Sequence, residues 1–172
     1  MSLKLTILGC HSATPRVNAN PTSQFIEIKN HSFLIDCGEG TQVQLRKNKI
    51  RFSKINHIFI SHLHGDHFYG LVGLVSTFML LNRTTDLHIY GPKGIEEVIK
   101  LQLKLSNSWT NYGLYFHELN SDKSEIIYED NGWTPYVRSI QVYEVPGDHD
   151  GMVLEPNVRV LAAKMARHPR AV

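Results

Sequence analysis

The sequence predicts an α/β fold arranged around a metal-binding loop, and three observations carry that expectation. Short, β-rich apolar runs alternate along the chain with longer stretches of helical periodicity. One of those runs, residues 55–60, leads directly into His62, His64, Asp66 and His67, and a helical pattern follows at 68–81. A chain of 172 residues with 42% hydrophobic and 20% charged residues can bury one core, as a single globular domain does.

Taken in order, residues 3–8 read as a strand ending at Gly9, and Cys10-His11-Ser12-Ala13-Thr14-Pro15-Arg16 is a small polar loop closed by proline. Residues 23–29 and 32–35 read as a hairpin about an Asn30-His31 turn. Asp36-Cys37-Gly38-Glu39-Gly40-Thr41 then turns into a helix at 41–47, and two readings of Asp36 stand side by side. It is an Asx-type turn and helix cap, or it is a carboxylate that orients a ligand histidine. The helix at 68–81 has Gly70 and Gly73 near its start and a broad apolar face through Leu74, Val75 and Phe78. Residues 86–90 are a strand stopped by Gly91-Pro92, residues 93–106 a helix, and residues 112–119 a further strand. His88 and His117 fall within those strands and read as structural histidines.

The chemistry concentrates at 62–67. In an extended segment His62 and His64 leave the same face, so their imidazoles converge on one cation. Gly65 lets the backbone turn and aims Asp66 and His67 at a second point nearby. This is a two-metal layout whose imidazole and carboxylate donors suit zinc, with manganese and iron open on ligand chemistry alone. The competing reading is a set of satisfied surface histidines, but four ligands in six residues between a strand and a helix weigh against it.

The formal charge of +2 argues neither for nor against a nucleic-acid partner. Cys10 and Cys37 have no metal-like spacing and read as free thiols of a reducing compartment, with a single disulfide as the alternative. The first residues alternate like a strand without the apolar core of a signal peptide, and no run reaches a membrane span. The expectation is a cytoplasmic protein with no membrane partner.

Residues 1–130 resemble the N-terminal half of ribonuclease Z, within the metallo-β-lactamase-fold hydrolases. The residues that carry this are Leu8-Gly9-Cys10-His11-Ser12-Ala13-Thr14-Pro15, Leu34-Ile35-Asp36-Cys37-Gly38-Glu39-Gly40-Thr41-Gln42 and Ile60-Ser61-His62-Leu63-His64-Gly65-Asp66-His67, followed by Tyr69-Gly70-Leu71 and Tyr90-Gly91-Pro92-Lys93-Gly94. The resemblance implies an αβ/βα sandwich with two zinc ions, His62 and His64 on one and Asp66 and His67 on the other. It further implies Asp66 as the catalytic proton acceptor, precursor tRNA as substrate, and removal of its 3′ trailer as the reaction.

From about Asn131 the composition shifts. Residues 1–130 hold nine Lys and thirteen Ile, whereas residues 131–172 hold one of each and seven Val. The stretch from Gly132 to Arg167 resembles the C-terminal end of a nonribosomal-peptide-synthetase thioesterase domain, but the chain has no G-x-S-x-G elbow to supply that triad's nucleophile. In ribonuclease Z a strand ending in Pro-x-x-His supplies a further zinc ligand, and Pro146-Gly147-Asp148-His149 has the same sense, which makes His149 a candidate ligand. Asp148 and Asp150 read as loop carboxylates, and residues 158–166 as a closing helix.

The expected architecture is therefore about one half of the sandwich plus a C-terminal helical tail, with a sheet face for the tail or a homodimer partner to cover. The functional expectation is a zinc-dependent endoribonuclease. Its alternatives are a catalytically silent metal-binding fragment or fusion, and a thioester or lactone hydrolase of the same fold.

Overall fold

The computed structural model describes residues 3–11, 13–14, 16–119 and 127–128. Six strands, β1 (Leu3–Gly9), β2 (Ser23–Ile28), β3 (His31–Ile35), β4 (His57–Phe59), β5 (Leu87–Pro92) and β6 (Leu114–Leu119), form one sheet in sequential order. The first three run antiparallel and β3 to β6 run parallel. The parallel strands need crossovers, which α1 (Thr41–Lys47), the pair α2 (Gly65–Phe68) and α3 (Leu71–Leu80), and α4 (Ile95–Leu105) supply. Because each right-handed crossover steps to the next strand in the same direction, the helices lie on one face of the sheet.

That face holds the core. Phe25, Leu34, Ile58 and Ile89, one from each of four neighbouring strands, are fully buried against Leu45 of α1, Leu71, Leu74 and Phe78 of α3, and Ile95 and Ile99 of α4. The opposite face carries His31, Phe33, His57, Phe59, His88, Tyr90, Tyr115 and His117. Their rings run across the strands as stacks, with His57 on His88 at 5.3 Å, His88 on Tyr115 at 5.1 Å and Tyr90 on His117 at 4.4 Å. Phe33 and Tyr90 are buried there, while Leu3, Leu5 and Ile7 of the edge strand remain more than half exposed.

Several element boundaries differ from those the sequence predicts. The hairpin loop is Lys29-Asn30, since Ile28 pairs with His31, and Lys29 takes the left-handed backbone with φ 49°. Strand β5 continues through Gly91 and Pro92, which pair with Glu118 and Leu119. Proline is tolerated because β4 pairs with β5 only over residues 88–90, so Pro92 has no ladder partner on that side to receive an N–H. The single helix predicted at 68–81 is two helices. Gly70 bonds its N–H to the carbonyl of Cys37 at 2.9 Å instead of a helical acceptor, which separates α2 from α3.

Candidate metal centre

The site forms where β3 and β4 end side by side. Asp36, the residue after β3, has φ 55°, a left-handed conformation that Asp accepts more readily than most side chains. Its N–H donates to Phe59 O at 2.7 Å, and Cys37 N donates to His67 O at 2.7 Å. With the Gly70 bond, these contacts strap the 36–38 turn onto the segment that carries Asp66 and His67. The approach is close enough to require glycine: a Cβ on Gly38 would stand 2.3 Å from Asp66 O, and one on Gly70 2.2 Å from Gly38 O.

The strapping buries the Asp36 carboxylate, at 4% residue exposure, beside His67 at 6%. Oδ1 of Asp36 accepts from Ser61 N at 2.8 Å, and Oδ2 accepts from Ser61 Oγ at 3.0 Å and lies 2.7 Å from His67 Nδ1. An ionised carboxylate only accepts, so the proton of this contact sits on His67 Nδ1 and the Nε2 lone pair of a neutral His67 points away from Asp36. Ser61 extends the logic. Its one proton goes to Asp36, so the 3.0 Å contact between Ser61 Oγ and His62 Nδ1 has the imidazole as donor, and His62 likewise keeps a lone pair on Nε2. Helix α1 takes no side-chain cap from Asp36; Gly40 stands at its N-cap. The Asp36 carboxylate is thus engaged with Ser61 and His67 and not with the helix start.

The other predicted ligands surround these two rings. His62 and His64 lie 4.7 Å apart centre to centre at 74°, and His62 and His67 lie 3.8 Å apart. Asp66 Oδ2 is 3.6 Å from His67 Nε2 and accepts from Ala13 N at 3.1 Å, so Ala13 reaches the site through its backbone. Two imidazoles on one tetrahedral zinc with bonds of about 2 Å have ring centres about 5 Å apart and donor atoms about 3.3 Å apart. The His62–His64 pair fits the first distance and the Asp66–His67 pair comes near the second, whereas His62 and His67 are too close to share an ion. Among the described residues no group of three or more His, Cys, Asp or Glu side chains converges to hold a metal. The donors fit zinc as pairs, and a complete coordination shell requires more ligands than these pairs provide.

His149, Asp148, Asp150 and the whole of 131–172, on which the thioesterase resemblance rests, lie outside the described residues. The chain turns at Gly65, from the extended backbone of His64 into α2. Gly65 opens α2 without a left-handed backbone, and its missing side chain makes room for the Tyr69 ring, 2.1 Å from where a Cβ would be. Asp66 and His67 sit on that helical turn. His88 and His117 bond to each other at 3.0 Å on the stacked face, away from this loop. Sequence reasoning missed Ser61 and the Ala13 N–H. Ser61 stands in the motif itself, but only its contact with a side chain 25 residues away reveals a role.

The sheet, its helix layer and the loop after β4 define a metallo-β-lactamase-fold protein. A family model described as Anti-Pycsar protein Apyc1 matches residues 3–127, and the chain belongs to that family. It is similar to ribonuclease Z of Bacteroides fragilis, 47% identical over 146 residues that make up 85% of this chain and 46% of that protein. Ribonuclease Z of Porphyromonas gingivalis is 41% identical over 83% of this chain and 45% of its own length. Among solved structures, human tRNase Z, short form, superposes with a TM-score of 0.63 at 37% identity, covering 69% of this chain and 46% of that one. The metallo-β-lactamase-fold protein YhfI from Bacillus subtilis gives a TM-score of 0.57 at 24% identity, over 70% and 47% of the two chains, which bears on the fold alone. The chain thus spans about half the length of the relatives it matches, and the matched span exceeds the 130 residues over which the motifs run.

Proposed function

We propose that the chain is the metal-binding portion of a zinc-dependent endoribonuclease of ribonuclease Z type, which hydrolyses a phosphodiester to release the 3′ trailer of precursor tRNA. The observation that carries this reading is the Asp36–Ser61 network, which gives His62 and His67 the tautomer a metal ligand needs. The ribonuclease Z relatives support it; the family description itself names no reaction.

In this reading His62 and His64 hold one zinc ion, and Asp66 and His67 the other. When bound, the pair supplies hydroxide at neutral pH and positive charge for both oxygens of an in-line phosphodiester displacement. Asp36 fixes the ring of His67 and, through Ser61, that of His62, so neither imidazole has to be ordered when metal arrives. Asp66 takes the proton of the attacking water, and the Ala13 N–H holds its carboxylate in place. His149 and a homodimer partner complete the ligand set, and the protein works in the cytoplasm.

A second reading, a catalytically silent metal-binding fragment, draws on the absence of a three-ligand group among the described residues. Zinc-loaded protein incubated with precursor tRNA and with bis(p-nitrophenyl) phosphate separates the two. Cleavage abolished by Asp66→Ala supports the nuclease. Zinc binding with no cleavage of either substrate overturns it in favour of the silent fragment.

A further inference from the structure

At the sheet edge opposite the histidine loop, where the chain enters β4 and β5, a cavity of about 450 Å³ opens between residues 46–53 and 78–85. Positive charge is concentrated there. Residues 46–54 carry Arg46, Lys47, Lys49, Arg51 and Lys54 with no acidic residue, in a chain whose formal charge is only +2. No Asp or Glu lines the cavity, but Arg46, Arg51 and Arg83 do.

Arg83 is the unusual member. At 8% exposure it is nine-tenths buried, with its guanidinium over the Phe78 ring at 4.8 Å. Its Nε donates to Thr85 O, and its Nη2 to Asn56 Oδ1 and Asp86 O, each at 2.7 Å. All three acceptors are neutral. Nη1 is buried with no hydrogen-bond partner, and among the described residues no carboxylate lies within ion-pair distance of Arg83, Arg46 or Arg51. A buried guanidinium with one unbonded nitrogen and no carboxylate in ion-pair contact, only the Asp86 charge farther off, is uncommon, because burying an ion normally demands a close partner. Arg46 and Arg51 stand exposed at the rim, Arg46 over Phe52 at 5.0 Å, with the hydroxyls of Ser53 and Thr84 alongside.

We infer that this cavity is a binding site for a phosphate-bearing ligand, with Arg83 as the buried charge beneath it and Arg46 and Arg51 as the forks that close on the phosphate oxygens. Arginine suits phosphate because its planar donors pair with two oxygens at once, and hydroxyls and an amide such as Asn82 fill the remaining acceptor positions. The volume accommodates a mononucleotide, and a phosphate of an RNA backbone would present the same chemistry. The site is separate from the histidine loop and stands whether or not the chain is a nuclease.

The test is a residue-resolved NMR titration of the full chain with inorganic phosphate, adenosine monophosphate and a short single-stranded oligoribonucleotide. The expected result is saturable shifts at the amides of 51–54 and 82–85 for at least one probe. In the Arg46→Gln, Arg51→Glu double variant its affinity falls about tenfold or more. Both side chains are exposed, and an unchanged spectrum elsewhere verifies the fold. Tightest binding by the mononucleotide identifies a free nucleotide as the source, and tightest binding by the oligoribonucleotide with steep salt dependence identifies an RNA backbone. No saturable shift at these amides, shifts confined to 61–67, or equal affinity in the variant would each overturn the inference.

Discussion

Asp36→Asn changes one atom at the centre of the proposed zinc site and has a consequence that can be worked from the geometry. Asparagine keeps the Oδ1 acceptor for Ser61 N, 2.8 Å away, and tolerates the φ of 55°. It replaces Oδ2 with an NH₂ that faces both Ser61 Oγ at 3.0 Å and His67 Nδ1 at 2.7 Å. Both groups must turn into acceptors, so the His67 proton moves to Nε2 and the lone pair facing Asp66 is lost. Exchanging charge-assisted bonds for neutral ones costs about 1–2 kcal/mol of stability, so the fold survives. Zinc affinity falls by about 10- to 100-fold, the usual effect of losing a carboxylate behind a ligand histidine. Asp36→Ala is the harsher control: it strips Ser61 N of its buried acceptor and strains the backbone, at about 3–5 kcal/mol. Zinc competition against a chromophoric chelator, urea unfolding and imidazole ¹⁵N shifts measure the three effects. An Asp36→Asn protein that binds zinc like the parent, with His67 still protonated at Nδ1, would refute the reasoning.

Other expectations follow from the same geometry. Burial, with His88, His31, His117 and Arg83 nearby, holds the His57 pKa down at about 4 against an ordinary 6.5. The unfolded chain therefore takes up a proton that the folded one refuses. Stability is fully present above pH 6.5, falls as pH drops towards 4, and then levels; the solvent-screened loss is about 1–2 kcal/mol, and His57→Phe removes it in urea titrations at pH 7 and 4.5. Gly70→Ala drives a Cβ into the Gly38 and Cys37 carbonyls and costs about 2–3 kcal/mol in urea unfolding. Gly73→Ala, which meets only the flexible Gln42 amide in the first turn of α3, stays within about 0.5 kcal/mol of the parent or exceeds it. Cys10 is exposed, whereas Cys37 is fully buried with its thiol pushed up to about 12. A chromogenic disulfide reagent thus titrates one thiol in native protein and both in denaturant.

Local pattern made most of the fold legible. Short β-rich runs located all six strands, and the 41–47 helix matches the sequence expectation because its signal, the glycine-bearing turn before it, is adjacent in the chain. The failures are tertiary. Nothing near Gly70 announces that its N–H will bond to Cys37 and split a helix, and Pro92 reads as a stop unless the shortness of β4 is known. The ligand loop was legible because four donors crowd into six residues. Its support was not, since Asp36 lies 31 residues from His67 and 25 from Ser61, and spacing carries no information across α1 and β4. The acidic, glycine-rich turn brought Asp36 into view, and only the fold shows that its carboxylate meets Ser61 and His67. The arginine cavity left no signal beyond a basic run, because Arg83 joins it only through folding.

The claim on which the account depends is that His62, His64, Asp66 and His67 bind zinc as two pairs. Elemental analysis of freshly purified protein, beside His64→Ala, Asp66→Ala and His149→Ala, tests it most directly. Two zinc ions per chain are expected, with less in each of the three variants. Protein that purifies without zinc, or that keeps its full zinc content when His64 and Asp66 are replaced, would contradict it.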